Sequence, residues 1–271
     1  RNALRARLGC CAADAGNEFG LRALLGRTLA AANLAGDAAV PVASLYSSHG
    51  PVFRVVARVL RRNRPSFAPL LEDKDDDKDE RRRRLEEERA AFHAARADFL
   101  RYHRYLLFCR SCGHVTAVDC EDVGAATCAD CGERAVGGDV AGPIWTGPLY
   151  DAGALRAMRD DAEKRGWLGN GDEDGDKSAP GRHLEATLDV MLDEVSDPRL
   201  EANAPYYTSL DNVARLAKVP TPPLASVRTL LQKRGFAVAA THIDPKGIRT
   251  DAPMSECVRA ARDVHLARLA R

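Results

Sequence analysis

Nowhere in the 271 residues do about eighteen apolar side chains run together, so no segment reads as a membrane-spanning helix. The chain begins at Arg1 with no signal-peptide pattern behind it, and this start reads as a processing or truncation point. Cysteine is sparse: eight in a chain of this length do not make a disulfide scaffold. Gly-rich phosphate loops are also missing, because Gly137-Gly138 and Gly169-Asn170-Gly171 lack the apolar strand such loops require. The seven histidines are scattered, and no Ser/His/Asp set suggests itself. Four of the cysteines sit in two C-x-x-C pairs, which favours metal in a reducing compartment; the expectation is an intracellular monomer with no membrane partner, in cytoplasm, nucleus or organelle.

Apolar residues make up 45% of the chain, enough to build cores. The net charge of +1 averages over unlike segments. Arg1 to Arg64 carries ten Lys/Arg against three Asp/Glu, and Tyr206 to Thr250 carries seven against two. Two basic regions separated by acidic stretches suit a protein that binds a polyanion.

The predicted fold class is α+β. Phe19, Leu21, Leu24, Leu25, Leu29 and Ala32 give residues 17–32 a broad helical face. Two strand-like runs, Val40 to Tyr46 and Val52 to Leu60, flank Ser47-Ser48-His49-Gly50, which reads as a hairpin turn. One helix and one hairpin cannot enclose a core alone and need a sheet to join. Glu72 to Glu88 is a dense charge run with Asp75-Asp76-Asp77 and Arg81-Arg82-Arg83-Arg84. It reads first as a solvated linker entering an exposed helix, with a polybasic nucleic-acid contact as the alternative. Residues 105–150 read as a small β-ribbon and residues 169–181 as a polar loop. The last stretch has the order helix, helix, helix, strand, helix. Helices are expected at residues 183–195, at Leu210 to Ala217 behind a Thr208 or Ser209 cap, and after Pro222-Pro223 through Leu231. A strand at residues 236–243 and a helix at 255–269 follow. Short helices, a Pro-containing turn and a strand suggest a winged helix.

Cys109-x2-Cys112-x15-Cys128-x2-Cys131 is the most specific signal in the chain. Each C-x-x-C puts two thiolates on a tight knuckle, and two knuckles complete a tetrahedron around zinc. Gly113 and Gly132 follow each pair, where a turn without a Cβ is needed. Four thiolates leave no open position, so the ion would be structural. Cys10, Cys11, Cys120 and Cys257 lack such pairing and read as ordinary apolar positions.

Two motifs imitate sites. Asp172-x-Asp174-x-Asp176 suggests a calcium loop, but Gly181 falls where a bidentate Glu is needed and Pro180 stands against the exiting helix. His242-Ile243-Asp244-Pro245-Lys246-Gly247 places Asp-Pro after a strand, as in enzymes that methylate exocyclic amines. Lys246 and Gly247 stand where the stacking aromatic belongs. The loop reads instead as a backbone-binding turn with Lys246 and Arg249 aimed at phosphates, or as a plain surface turn.

Three phrases carry a resemblance. Asn17-Glu18-Phe19-Gly20-Leu21-Arg22 opens a helix, and Gly142-Pro143-Ile144-Trp145-Thr146-Gly147-Pro148-Leu149 follows the zinc ribbon. The third, Thr241-His242-Ile243-Asp244-Pro245-Lys246-Gly247-Ile248-Arg249-Thr250-Asp251-Ala252-Pro253, closes the chain's expected wing. In this order they resemble the tRNA guanine-N2 dimethyltransferases, which modify guanosine 26 of tRNA.

The resemblance implies an S-adenosylmethionine-dependent, class I Rossmann-like domain followed by a tRNA-binding domain. Residues 1–64 would be the end of the methyltransferase domain, 65–104 a charged linker and helix, 105–150 the zinc ribbon, and 151–271 a winged-helix-like tRNA-binding domain. The family's donor site and catalytic motif lie before the segment matched here, so no catalytic or donor-binding residue carries over. This chain would supply the grip on tRNA through Arg228, Lys233, Arg234, His242, Lys246 and Arg249. The competing reading is a non-enzymatic zinc-ribbon and winged-helix module that docks on nucleic acid.

Overall fold

The structure, a computed structural model, describes residues 16–47, 52–62, 78–136, 139–169 and 180–270. The tip of the expected hairpin, the Asp172 loop, Cys10, Cys11, the Gly137-Gly138 pair and residues 72–77 of the charge run lie outside these. The architecture is α+β: eight named helices and three small antiparallel sheets among the described residues.

Helix α1 (Gly16–Leu34) buries Phe19, Leu21, Leu25 and Leu29. It lies on one face of the hairpin β1 (Ala38–Ser47) and β2 (Val52–Leu60), which are paired from Ala38 with Leu60 to Ser47 with Val52. A bulge between Pro41 and Ala43 absorbs one extra residue in β1. Helix α2 (Lys78–Tyr102) covers the other face only near its end, where Phe92 and Ala95 meet Ala38, Val40 and Leu60. The first turns of α2 stay in solvent, held by pairs one turn apart such as Arg82 with Glu86 at 3.1 Å. Over residues 78–88 this is the exposed helix that the charge run is expected to enter.

The helix and hairpin do find a core, and later parts of the chain supply it. Leu21, Leu25 and Leu29 belong to one apolar cluster with Ile144, Trp145, Leu149, Tyr150, Tyr206 and Tyr207. Strand β3 (His103–Phe108) is the centre of the second sheet, between β4 (Val115–Val118) and β5 (Val140–Trp145). β5 delivers Ile144 and Trp145 directly onto α1. Gly26 of α1 permits that approach, since a Cβ there would lie 3.0 Å from the Trp145 backbone nitrogen.

Helices α3 (Ala152–Lys164), α4 (Pro180–Glu194) and α5 (Pro198–Asn203) lead to the third sheet. Pro180, expected to obstruct a helix, is instead the first residue of α4. There its missing N–H removes no helical hydrogen bond.

The C-terminal unit follows: β6 (Thr208–Ser209), α6 (Leu210–Ala217), α7 (Leu224–Lys233), β7 (Val238–Thr241), β8 (Asp244–Thr250) and α8 (Met254–Leu269). Its sheet has the order β6-β8-β7. Its core joins Leu210, Val213, Val227, Leu231, Ile248 and Cys257. Ser209 holds the N-cap position of α6 without a side-chain cap bond.

The segment read from sequence as a phosphate-facing loop is mostly strand β8. His242 and Ile243 alone make the turn between β7 and β8. The register jumps from Thr241 opposite Asp244 to Ala240 opposite Ile248, so Pro245 falls in an irregularity where β7 asks no N–H of it. Gly247 is required by close approach: an added Cβ would stand 2.6 Å from Thr241 Cγ2 and 2.7 Å from Tyr207 Cδ2. Gly247→Ala should therefore lower the free energy of unfolding by about 1–3 kcal/mol through overpacking, read by urea denaturation. An unchanged midpoint would contradict this packing.

Candidate functional site

The four cysteines of the paired knuckles converge, with all Sγ atoms within 4.8 Å of one another. Cys109 and Cys131 are 3.5 Å apart and Cys112 and Cys128 are 3.4 Å apart, far beyond a disulfide bond. Tetrahedral zinc with bonds near 2.3 Å sets its sulfurs about 3.8 Å apart, so the set fits one ion. Each knuckle closes with the same bond, Gly113 N–H to Cys109 O and Gly132 N–H to Cys128 O, both at 2.9 Å. Gly113 and Gly132 have φ of +77° and +73°, as the turn demands. The fifth and sixth described cysteines differ: Cys257 is buried, as expected of an apolar position, whereas Cys120 is exposed on a 3₁₀ turn.

A second cluster joins all three phrases that carry the resemblance. Arg249 of β8 donates from Nε to Glu194 at 3.0 Å, from Nη2 to Glu18 at 2.8 Å, and from Nη1 to the Ala204 carbonyl at 3.2 Å. Glu18 also accepts from Arg22 Nε at 2.8 Å and from the Tyr207 backbone N–H at 3.1 Å. Arg22 Nη1 then donates to the carbonyls of Trp145 and Gly147, at 3.2 and 2.8 Å. The phenol of Tyr206 accepts the Phe19 N–H at 3.0 Å. Two carboxylates and two guanidiniums are thus sealed together, each residue at most 5% exposed.

His242 closes the cluster from the far side. Its backbone N–H and its Nδ1 lie 2.9 and 3.0 Å from Glu194 Oε1, and the Tyr150 hydroxyl also meets Nδ1. Nε2 accepts the Tyr46 backbone N–H at 3.3 Å, so the neutral ring carries its proton on Nδ1. Burial alone would raise the Glu194 carboxyl, but the Arg249 charge and the His242 hydrogen bond reverse this and bring it to about 2. Glu18 behaves alike: burial pushes it up, and Arg249 with Arg22 holds it below the ordinary carboxylate range. Burial and the Glu194 charge push the Tyr150 phenol well above its usual value.

This geometry corrects part of the expected RNA surface. Arg249 and His242 do not face solvent. Strand alternation turns Arg249 inward, its guanidinium is taken up by two carboxylates and a carbonyl, and His242 is held in the turn by Glu194. Arg228 is half-buried against Asp193 at 2.7 Å. Arg234 pairs with Glu256 and Asp263. Lys246 is exposed and lies 3.0 Å from Asp211, a surface pair that water weakens. Lys233 is exposed near the end of α7 with no ion pair recorded among the described residues.

The buried carboxylate has a pH signature. Its folded pKa lies below the ordinary 4.5, so its contribution is complete above that value and is lost as pH falls toward 2. Glu194→Gln should lower the unfolding free energy at neutral pH by about 3 kcal/mol. The gap to the parent protein should then shrink between about pH 5 and pH 2, in denaturant titrations at each pH. A gap of constant size over that range would contradict the assignment.

Comparison with known proteins places the chain. A family model described as "TRM: N2,N2-dimethylguanosine tRNA methyltransferase" matches residues 88–262. The tRNA (guanine(26)-N(2))-dimethyltransferase of Aeropyrum pernix is 30% identical over 244 residues, covering 90% of this chain and 47% of that protein. Its namesake from Methanothermobacter thermautotrophicus is 31% identical over 164 residues, covering 60% and 38%. The solved structure "Complex structure of Trm1 from Pyrococcus horikoshii with S-adenosyl-L-Methionine" shares the fold, with a TM-score of 0.56 at 18% identity, over 91% of this chain and 50% of that one. The chain spans about half the length, or less, of these relatives. It belongs to the N2,N2-dimethylguanosine tRNA methyltransferase family.

Proposed function

We propose that this chain is the tRNA-holding part of a tRNA (guanine26-N2)-dimethyltransferase that takes methyl groups from S-adenosylmethionine. The observation that carries the reading is the meeting of the three family-like phrases in one buried cluster, Glu18 and Arg22 from the first, Trp145 and Gly147 carbonyls from the second, His242 and Arg249 from the third. Helix α1 with its hairpin corresponds in this reading to the end of the donor-binding sheet. The cluster fastens it to the C-terminal unit, whose helices and β6-β8-β7 sheet we assign to a winged-helix-like fold. The knuckles with β3, β4 and β5 form the zinc ribbon.

No described residue is assigned to the methyl donor. Two cavities among the described residues, one lined by residues such as Tyr150, Glu194 and Arg249 and one by Tyr102, Arg104 and His114, present no glycine-rich turn after a strand. In the whole enzyme the guanine leaves its stack so that its N2 amine is brought to the donor. This chain's part is positional. Exposed cations such as Lys233 and Lys246 hold phosphates, while Arg249 and His242 support the β7–β8 turn from beneath. Zinc, held by Cys109, Cys112, Cys128 and Cys131, supplies rigidity there and no chemistry.

Filter binding of tRNA to the 271-residue chain tests the reading. Affinity should fall steeply between 50 and 200 mM salt, on the order of tenfold or more for a few phosphate contacts. Lys246→Glu should weaken binding at every salt and lower the slope by about one. The chain alone should form no dimethylguanosine from S-adenosylmethionine. Salt-independent or absent binding would overturn the RNA role, and product formed by these residues would overturn the placement of the donor site outside them.

A further inference from the structure

The second knuckle does more than present two thiolates. Asp130 stands between Cys128 and Cys131, and its carboxylate reaches across to α8. Oδ2 accepts the Ser255 backbone N–H at 2.9 Å, and Oδ1 accepts the Ser255 hydroxyl at 2.7 Å. Helix α8 has need of such a partner. Its N-cap position is Pro253, which offers no side-chain acceptor to the first amides. An aspartate 125 residues upstream serves as the cap and places negative charge at the positive end of the helix.

The first knuckle is seated on the same unit. A Cβ on Gly113 would lie 3.0 Å from Asn212 Nδ2, 3.0 Å from Leu216 Cδ1 and 3.6 Å from Met254 Cε. Both knuckles therefore touch the start of α8 or its neighbour α6. Those two helices pack on each other through Val213, Ala217, Cys257 and Ala261 in the C-terminal core. Backbone bonds close each C-x-x-C turn by itself, but between the two turns the sulfurs meet only one another, so a shared metal is what would fix the second turn against the first.

We propose that Asp130 is a positioning residue that makes order in the first turn of α8 depend on metal occupancy. Zinc fixes the turn from Cys128 to Cys131, the fixed turn aims Asp130, and Asp130 caps α8. The metal thereby sets the unit proposed to hold RNA, although no ligand reaches that surface. This rests on the reading of the four cysteines as a zinc site.

Hydrogen exchange by mass spectrometry, with zinc content measured by elemental analysis on the same samples, tests the link. Removing zinc should speed exchange of the α8 first-turn amides by about tenfold. Asp130→Ala should exchange at that faster rate with zinc still bound, and zinc removal should then add less than about twofold, because coupled changes are not additive. Asp130→Asn, which keeps an acceptor oxygen, should retain most of the protection. If Asp130→Ala loses zinc, Ser255→Ala decides: with zinc bound it should exchange about threefold faster. Protection of α8 that ignores zinc, or independent effects of zinc and Asp130, would overturn the proposal and leave the metal site standing. A chain that carries no zinc after metal-replete expression would overturn both.

Discussion

Arg249 between Glu18 and Glu194 is the contact on which the arrangement of this chain depends. A guanidinium at the end of the third sheet is neutralised by one carboxylate from the first described helix and another from the end of α4. Removing such ions from water costs several kcal/mol each, and their attraction returns that only when every donor and acceptor is used. Here Arg22, the Tyr207 amide, His242 and the Ala204 carbonyl use them. The cluster is therefore less a source of stability than a demand for one geometry. A slip of one residue in β8 would turn Arg249 toward the apolar core that takes Ile248 and leave Glu194 buried without its guanidinium partner.

The same demand explains why segments distant in sequence share motifs of one family. Glu18 and Arg249 are 231 residues apart, yet they touch, and the Trp145 to Gly147 turn offers its carbonyls to the same group. Loss of Glu18 from the first phrase or of Arg249 from the third would leave its partner's charge buried and less well paired. Close backbone approaches reinforce the junction, with Gly26 against Trp145 and Gly247 against Tyr207. The apolar cluster from Leu21 to Tyr207 then seals it from water, which strengthens each interaction inside.

Much of this was legible in the residues. Paired C-x-x-C spacing located the metal-fit cluster, alternation located β1 and β2, and apolar spacing located α1, α6 and α7. The orientation of Arg249 was not legible. A cation on a strand faces in or out according to its register, and Pro245 with Gly247 disguised β8 as a loop. A signal was nevertheless present: positions 18, 22, 25 and 29 fall on one helical stripe, so Glu18 and Arg22 share the buried face of Leu25 and Leu29. Two opposite charges on an apolar stripe call for further buried partners. Asp130 carried no comparable signal, because its partner lies 125 residues away and the Pro253 cap position gives no hint of an external acceptor.

The most direct measurement is a double-mutant cycle between Glu18 and Arg249, using Glu18→Gln, Arg249→Met and the pair, read by chemical denaturation. The account predicts that each single change costs about 3–5 kcal/mol and that the pair costs far less than their sum, a coupling above about 2 kcal/mol. Effects that add to within about 0.5 kcal/mol would mean the two residues do not depend on each other, and the shared buried junction would have to be given up.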